Sequence, residues 1–340
     1  MSRTPSAPAS PSTPGAVLRL LLEAGTPRSG QEMARRLGCS RAAVGKAVAS
    51  LRAQGFVIEA RPRRGYRLVS EPQEVLPARV EARLRPGDLG LPLLHFPRID
   101  STNLEARRRC EGRGGPPLPH GACLVAEHQS AGRGRLDRRW LAPPRTCLLF
   151  SLVLRPPLAL ERVFALTNLA AVAVCLAVEE AGGLKPAIKW PNDVFLQGRK
   201  LAGILTEFAS RAERLEYAVV GVGLNVNLTP SQLRRLPAPA ISLKAATGRA
   251  WDRAVLLARI LRHASDLYRK ATARGWRELA RHYRHRSLIW GRRVVVRDGE
   301  QVRQGRVQAV EPDGTLRLRL RSGRVISIRH GDVSLLSVQG

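Results

Sequence analysis

Glu127-His128-Gln129-Ser130-Ala131-Gly132-Arg133-Gly134-Arg135-Leu136-Asp137-Arg138-Arg139-Trp140 lies between two apolar runs. Ala122-Cys123-Leu124-Val125-Ala126 leads into it and Cys147 to Leu154 leads away, and both read as buried strands. The stretch is therefore a loop between two core strands. Gly132 and Gly134 permit close backbone approach, while Arg133, Arg135, Arg138 and Arg139 offer planar donors suited to carboxylate and phosphate oxygens. A glycine-hinged cationic loop makes a good lid for an anion. On spacing alone, Gly-Arg-Gly-Arg equally fits a solvated or nucleic-acid-binding segment.

Downstream, Glu161 to Ala181 forms a helix apolar on nearly every side, the mark of a domain centre. Strands over Ala187–Trp190, Val194–Leu196, Lys200–Phe208 and Tyr217–Leu228 then give a mixed sheet with hairpins. Lys200 opens one of these strands beside Gly198, where a lysine can also serve as a solvated edge residue. Pro230 to Pro239 reads as a loop without periodicity, and Trp251–Arg274 and Trp276–His285 as amphipathic helices. From Gly291 onward, short alternating strands are separated by Asp298-Gly299, Asp313-Gly314 and Ser322-Gly323 turns, the pattern of a small barrel. Its arginines fall at outward positions, as on a solvated face.

Upstream of the lid, the strand Leu93–Phe96 runs to Asp100-Ser101-Thr102-Asn103 at the start of a helix. Ser101 or Thr102 is suited to cap it. Ser70 to Ala78 lacks periodicity and reads as a linker. Before it, caps at Ser29 and Ser40 around Gly38 give helix-turn-helix spacing, with Ser40, Arg41, Lys46 and Arg52 on the outer face of the second helix. A hairpin follows whose tip, Arg61-Pro62-Arg63-Arg64, is basic. The result is a winged helix-turn-helix, although a three-helix protein-interaction module would show the same periodicity. The Ser/Pro-rich start has no apolar centre and reads as a disordered tail.

At 340 residues and 44% hydrophobic content the chain supports two or three cored domains. Its net charge of +30 would ordinarily indicate nucleic acid, but arginine is spread along the whole length, so local pattern carries more weight. The five cysteines are odd in number and widely separated, which argues against a disulfide framework or zinc site and for a cytoplasmic protein. No uninterrupted apolar stretch approaches the roughly 20 residues that span a bilayer.

Together with Lys189-Trp190-Pro191-Asn192-Asp193, Gly198-Arg199-Lys200-Leu201-Ala202-Gly203-Ile204-Leu205 and Gly221-Val222-Gly223-Leu224-Asn225-Val226-Asn227, the lid stretch resembles the biotin protein ligases, in the family's order and at similar spacing. The resemblance runs from about Gly15 to Leu336 and implies an α+β chain. It would comprise a disordered tail over 1–14, a winged helix-turn-helix DNA-binding domain over 15–70 and a linker over 71–79. A mixed-sheet, class II synthetase-like catalytic domain over 80–286 and an SH3-like β-barrel over 287–340 would follow. It implies ATP, biotin and Mg²⁺ as reactants and ion, and biotinyl-5′-AMP, with release of pyrophosphate, as intermediate. The expected partners are the biotin carboxyl carrier protein of acetyl-CoA carboxylase, operator DNA and a second copy of the chain, with dimerisation promoted by the adenylate.

By the same resemblance, Ser101, Thr102, Asn103 and Gln129 bind the ureido ring, and Arg133, Gly134, Arg135 and Lys200 complete the biotin site. Lys200 and Arg135 are the catalytic pair, Arg138, Trp140, Asn192 and Asn225 hold ATP or the adenylate, and Asp193 contributes to a metal site. Ser40, Arg41, Lys46, Arg63 and Arg64 contact DNA. Where the family has a polar residue and a glycine, this chain has Leu136-Asp137, which stiffens the lid and adds a negative charge. Two other readings of the chain are a biotin-sensing repressor without catalysis, which would have no need of Lys200, and a lipoate-type acyl ligase.

Overall fold

The caps anticipated at serines are present throughout the N-terminal domain. The computed structural model describes residues 12–61, 64–136, 138–298, 300–311, 313–329 and 331–335. The tail over 1–11, Arg63 of the wing and Asp137 of the lid lie outside them. Ser12 Oγ accepts from Gly15 N at 3.2 Å, so α1 (Thr13–Ala24) begins two residues before Gly15, inside the stretch expected as tail. Ser29 caps α2 (Gly30–Leu37), Gly38 turns the chain at φ 63°, and Ser40 caps α3 (Arg41–Ala53). The inward positions Val17, Leu18, Met33, Val44, Val48 and Leu51 make this domain's own core. Strands β1 (Val57–Arg61) and β2 (Gly65–Ser70) form the antiparallel wing hairpin.

The segment expected as a linker is bonded on both sides. Helix α4 (Pro77–Glu81) begins inside it, and just beyond it Arg19 of α1 donates to the carbonyls of Glu81, Ala82 and Leu84. Arg79 is only 3% exposed, with Glu74 O at 3.1 Å and the carboxylates of Glu71 and Asp252 beside it. A buried guanidinium demands such partners. These contacts join the helix-turn-helix to the central domain through packed structure.

The central domain comprises β3 (Leu93–Phe96), α5 (Thr102–Cys110), β4 (Cys123–Ala126), β5 (Cys147–Leu154), α6 (Phe164–Gly182), β6 (Ala187–Lys189), β7 (Asp193–Leu196), β8 (Arg199–Arg211), β9 (Arg214–Asn225), α7 (Pro230–Arg234), α8 (Leu243–Thr247), α9 (Arg253–Arg274) and α10 (Arg277–Arg286). Its seven strands run in the order β3-β4-β5-β9-β8-β7-β6, with only β3 and β4 parallel. Strand alternation divides the sheet by face. Leu148, Phe150, Val220, Val222 and Leu224 pack with α6 and α9, while Val153, Tyr217 and Val219 pack on the opposite face with Ala106 of α5. Helix α6 with its preceding turn, Leu160–Gly182, has the length and mean composition of a membrane span, but Thr167 and Asn168 interrupt its apolar run, so the expectation of no uninterrupted stretch of that length holds among the described residues. Its window is 78% buried inside the protein, so its apolar surface is committed to the core.

The stretch Pro230 to Pro239, expected as a loop, begins with helix α7. Thr229 and Gln232 form a reciprocal capping box there, and Pro230 occupies the first turn, where its missing N–H is harmless. The C-terminal domain is an antiparallel sheet of β10 (Arg293–Asp298), β11 (Gln301–Val310), β12 (Leu316–Arg319), β13 (Val325–Ile328) and β14 (Asp332–Leu335), in the order β13-β12-β11-β10-β14. Trp190, 1% exposed, donates its indole N–H to Gly314 O at 2.9 Å and so ties this domain to the catalytic sheet.

Candidate active site

A cavity of 860 Å³ opens on the sheet face away from α6. Its floor follows from the Gly221-Val222-Gly223-Leu224-Asn225 alternation, which turns the glycines and Asn225 to the front and the valine and leucine to the core. A Cβ on Gly221 would stand 2.1 Å from Asn103 Oδ1, and one on Gly223 would stand 2.4 Å from Trp140 Cε2. Only glycine leaves room for both side chains. Every central-domain residue selected from the sequence lines this cavity: Ser101, Thr102, Asn103 and Gln129 at one end, with Arg133, Gly134, Arg135, Arg138, Trp140, Asn192, Asp193, Lys200 and Asn225 along the lid and the other end.

The first end is a buried polar chain. Ser101 caps α5, which points Thr102 and Asn103 inward, and all three residues are at most 4% exposed. Thr102 N and Oγ1 both donate to Gln129 Oε1, at 2.7 and 2.9 Å. Ser151 Oγ lies 2.7 Å from Thr102 Oγ1 and 2.6 Å from Asn103 Oδ1, within donating reach of each. Asn103 Nδ2 donates to Leu205 O at 3.2 Å and to Glu207 Oε2 at 2.9 Å. Ser151 and Glu207 were missed from the sequence. Ser151 did leave a signal, as the one polar residue in the apolar run Cys147 to Leu154.

The other end is cationic. Gly221 and Asn225 are four strand residues apart, about 13 Å at the usual rise, so the ends suit an elongated ligand with a polar head and an anionic tail. Lys200 N donates to Pro239 O at 3.2 Å, and Ile241 N and Asn225 Nδ2 donate to Lys200 O at 3.0 and 3.4 Å. Its ammonium stands 2.7 Å from Asp193 Oδ1 and 5.7 Å from the Trp140 ring. Among the described residues no group of three or more His, Cys, Asp or Glu could hold a metal. Asp193 fits Mg²⁺ only as one ligand beside substrate phosphate oxygens, the usual arrangement for that ion.

The lid closes on itself as a short hairpin. Gly134 N donates to Arg138 O at 2.7 Å, Trp140 N to Gly132 O at 3.0 Å, and Leu136 makes the turn at φ 51° with 70% of its surface exposed. Arg135 reaches a neutral partner, Asn192 Oδ1, at 3.3 Å. Burial pushes its pKa below the ordinary guanidinium value, against the opposing charges of Asp332 and Asp193, which still leaves it charged, and among the described residues no carboxylate forms an ion pair with it. A half-buried cation without a bonded carboxylate is a ready anion site. Arg138 pairs with Asp332 of β14 at 2.5 Å, so the C-terminal domain also borders the cavity. Among the described residues, Trp140 Nε1 is buried without a hydrogen-bond partner.

On the first domain, Ser40, Arg41 and Lys46 at the start of α3 and Arg64 of the wing are all exposed. Arg52 is exposed as well, with its Nε and Nη2 both donating to Ile58 O, at 3.0 and 2.6 Å.

The sheet, its glycine floor and the cationic lid define an acyl-ligase cavity coupled to a DNA-binding module. Residues 96–225 match the Biotin/lipoate A/B protein ligase family, 16–67 an HTH domain and 289–336 the biotin protein ligase C terminal domain. A bifunctional ligase/repressor BirA of Bacillus subtilis is 33% identical over 90% of this chain and 93% of its own. A biotin--[acetyl-CoA-carboxylase] ligase of Mycobacterium tuberculosis is 36% identical over 63% of this chain and 78% of its own. Among solved structures, the biotin protein ligase from Aquifex aeolicus in complex with biotin and ATP superposes with a TM-score of 0.58 at 28% identity, covering 72% of this chain and 98% of that one. The chain belongs to the bifunctional biotin protein ligase and repressor family.

Proposed function

We propose that the protein joins biotin to ATP, releases pyrophosphate, and passes the biotinyl group from biotinyl-5′-AMP to a lysine of the biotin carboxyl carrier protein. One observation carries this reading: a buried polar pocket and a cationic end face each other along one glycine floor. The polar chain of Ser101 to Asn103, Gln129 and Ser151 matches a ureido head, which has two N–H donors and a carbonyl. A lipoyl dithiolane would leave those groups without ligand partners, which disfavours the lipoate-type alternative.

In the first step the biotin carboxylate oxygen attacks the α-phosphorus and the bond to pyrophosphate breaks. Arg135 and Lys200 meet the negative charge that gathers on the oxygens, and the rigid floor keeps the two reactants in line. Mg²⁺ bound with ATP beside Asp193 would neutralise triphosphate charge. In the second step the carrier's lysine amine attacks the acyl carbon, AMP leaves and the amine sheds its proton to solvent. The lid shields the mixed anhydride from water in between. Trp140, beside Lys200, gives the adenine a flat apolar surface, with Arg138, Asn192 and Asn225 nearby.

The winged helix supports a second role, repression at operator DNA by an adenylate-promoted homodimer, with Ser40, Arg41 and Lys46 at the major groove and Arg63 and Arg64 at the backbone. These partners and the free thiols of all five cysteines favour a cytoplasmic location. The ligase reading is tested by incubating the pure protein with labelled biotin, ATP, Mg²⁺ and a carrier domain. Transfer of label to the carrier's lysine supports it, and binding of biotin without pyrophosphate release would favour a sensing repressor instead.

A further inference from the structure

Glu207 stands on β8 at the polar end of the cavity, its side chain only 15% exposed. Its Oε1 accepts from Arg133 Nη1 of the lid at 3.0 Å and from Arg107 Nη1 of α5 at 3.2 Å. Its Oε2 accepts from Asn103 Nδ2 at 2.9 Å. With Leu205 O as the second acceptor, both amide hydrogens of Asn103 face β8, and Oδ1 is left to Ser151. A single carboxylate therefore sets which way a cavity amide points and also tethers the first half of the lid. Among the described residues, Arg133 has no other carboxylate partner.

We propose that Glu207 is a positioning residue that clasps the lid to the head end of the site and orients Asn103 for the ligand. The lid is thereby pinned at two points, Arg133 on Glu207 and Arg138 on Asp332, with the exposed turn at Leu136 free between them. Opening then requires the ion pair to break beside the very residues that grip the ligand's head. The clasp thus ties retention of the intermediate to a correctly filled head pocket. This inference rests on the ligase reading, since biotinyl-5′-AMP is the molecule the lid retains.

The test compares Glu207→Gln, Arg133→Gln, the double variant and Arg107→Gln in the full-length protein. It measures biotin KM, kcat at saturating biotin and ATP, and the release of preformed labelled adenylate into excess unlabelled ligand. A partly exposed ion pair predicts release about five-fold faster in Glu207→Gln. Biotin KM should rise about five- to ten-fold because the Asn103 amide is no longer held, while kcat stays within about two-fold, since no group facing the transferred phosphorus has changed. The double variant should release no faster than Glu207→Gln, because both changes cut the same ion pair. Arg107→Gln, which removes the other cation from Oε1 without touching the lid, should release at the wild-type rate. Should Glu207→Gln fold poorly, Arg133→Gln, at a lid position 39% exposed, carries the same release expectation. Wild-type release in Glu207→Gln, or additive effects in the double variant, would overturn the clasp. Failure of the wild-type protein itself to form adenylate would overturn the ligase reading instead.

Discussion

Lys200 is aimed by its backbone. Pro239, Ile241 and Asn225 hold its peptide groups, so the ammonium projects from a fixed point towards Asp193; in the proposed reaction it exchanges that carboxylate for the oxygens of the reacting pair. Lys200→Ala should reduce pyrophosphate release by about a hundred-fold or more while biotin affinity changes little, because a charge directed at the transition state governs turnover. Stopped-time release assays beside equilibrium titration separate these effects, and wild-type turnover in the variant would contradict the assignment. Gly221→Ala makes a complementary test: its Cβ needs space 2.1 Å from Asn103 Oδ1, so Asn103 must move. Biotin affinity is expected to fall about ten-fold or more, the usual consequence of breaking a buried hydrogen bond, read by calorimetric titration with thermal melting as the folding control. The glycine-bearing motifs and Lys200 were legible because each sits in a recognisable run. Glu207 was not, because its importance comes from Arg107, Asn103 and Arg133, which are distant in sequence and meet only in the fold.

At the scale of elements, the strand that launches the lid is bolted to the segment leading from the DNA-binding domain. Glu127, at the end of β4, accepts from Val75 N at 2.7 Å and pairs with Arg253 at 2.7 Å and His95 at 3.4 Å. Arg253 also donates to Gln73 O. Burial alone would raise the Glu127 pKa, but the His95, Arg253 and Val75 contacts outweigh it and hold the value down to about 2, against 4.5 ordinarily. The stability this contributes is complete above about pH 4.5 and is lost as pH falls towards 2. Glu127→Gln should destabilise the protein by about 3 kcal/mol at neutral pH, since Arg253 is left buried without its partner charge, and should flatten the unfolding profile across that acid window. Denaturant unfolding from pH 7 to 3 reads both, and an unchanged acid limb would contradict it. On the wing, neutralising Arg63 and Arg64 should flatten the dependence of log K on log salt by about 1–2 units of slope on an operator fragment, with ligase activity retained. An unaltered slope would remove the wing from the DNA interface. Helices α2, α3 and α5, capped at Ser29, Ser40 and Ser101, were readable in advance to within a residue or two, whereas α8, capped by Ser242, was not. Helix α7 was obscured by the prolines around it, and the segment over 71–79 looked idle because its partners, Asp252, Arg253 and Glu127, are far along the chain.

In the whole molecule, the catalytic sheet is the hub on which both flanking domains bear. The helix-turn-helix reaches it through Arg19, α4 and Arg79, and the C-terminal sheet reaches it through Trp190 and Asp332. The three-part order was legible because each part has its own sequence period: helical spacing first, mixed strands and helices next, turn-punctuated short strands last. The docking of the parts was not, since single buried pairs such as Arg79 with Asp252 leave no periodic trace. The central claim is that one cavity both activates biotin and supplies it to a carrier. It is tested most directly by mixing the full-length protein with labelled biotin, ATP, Mg²⁺ and a carrier domain, then following pyrophosphate and label together. The expected result is one pyrophosphate released for each biotin fixed to the carrier's lysine, with both signals lost in Lys200→Ala; biotin bound with no pyrophosphate formed would contradict it.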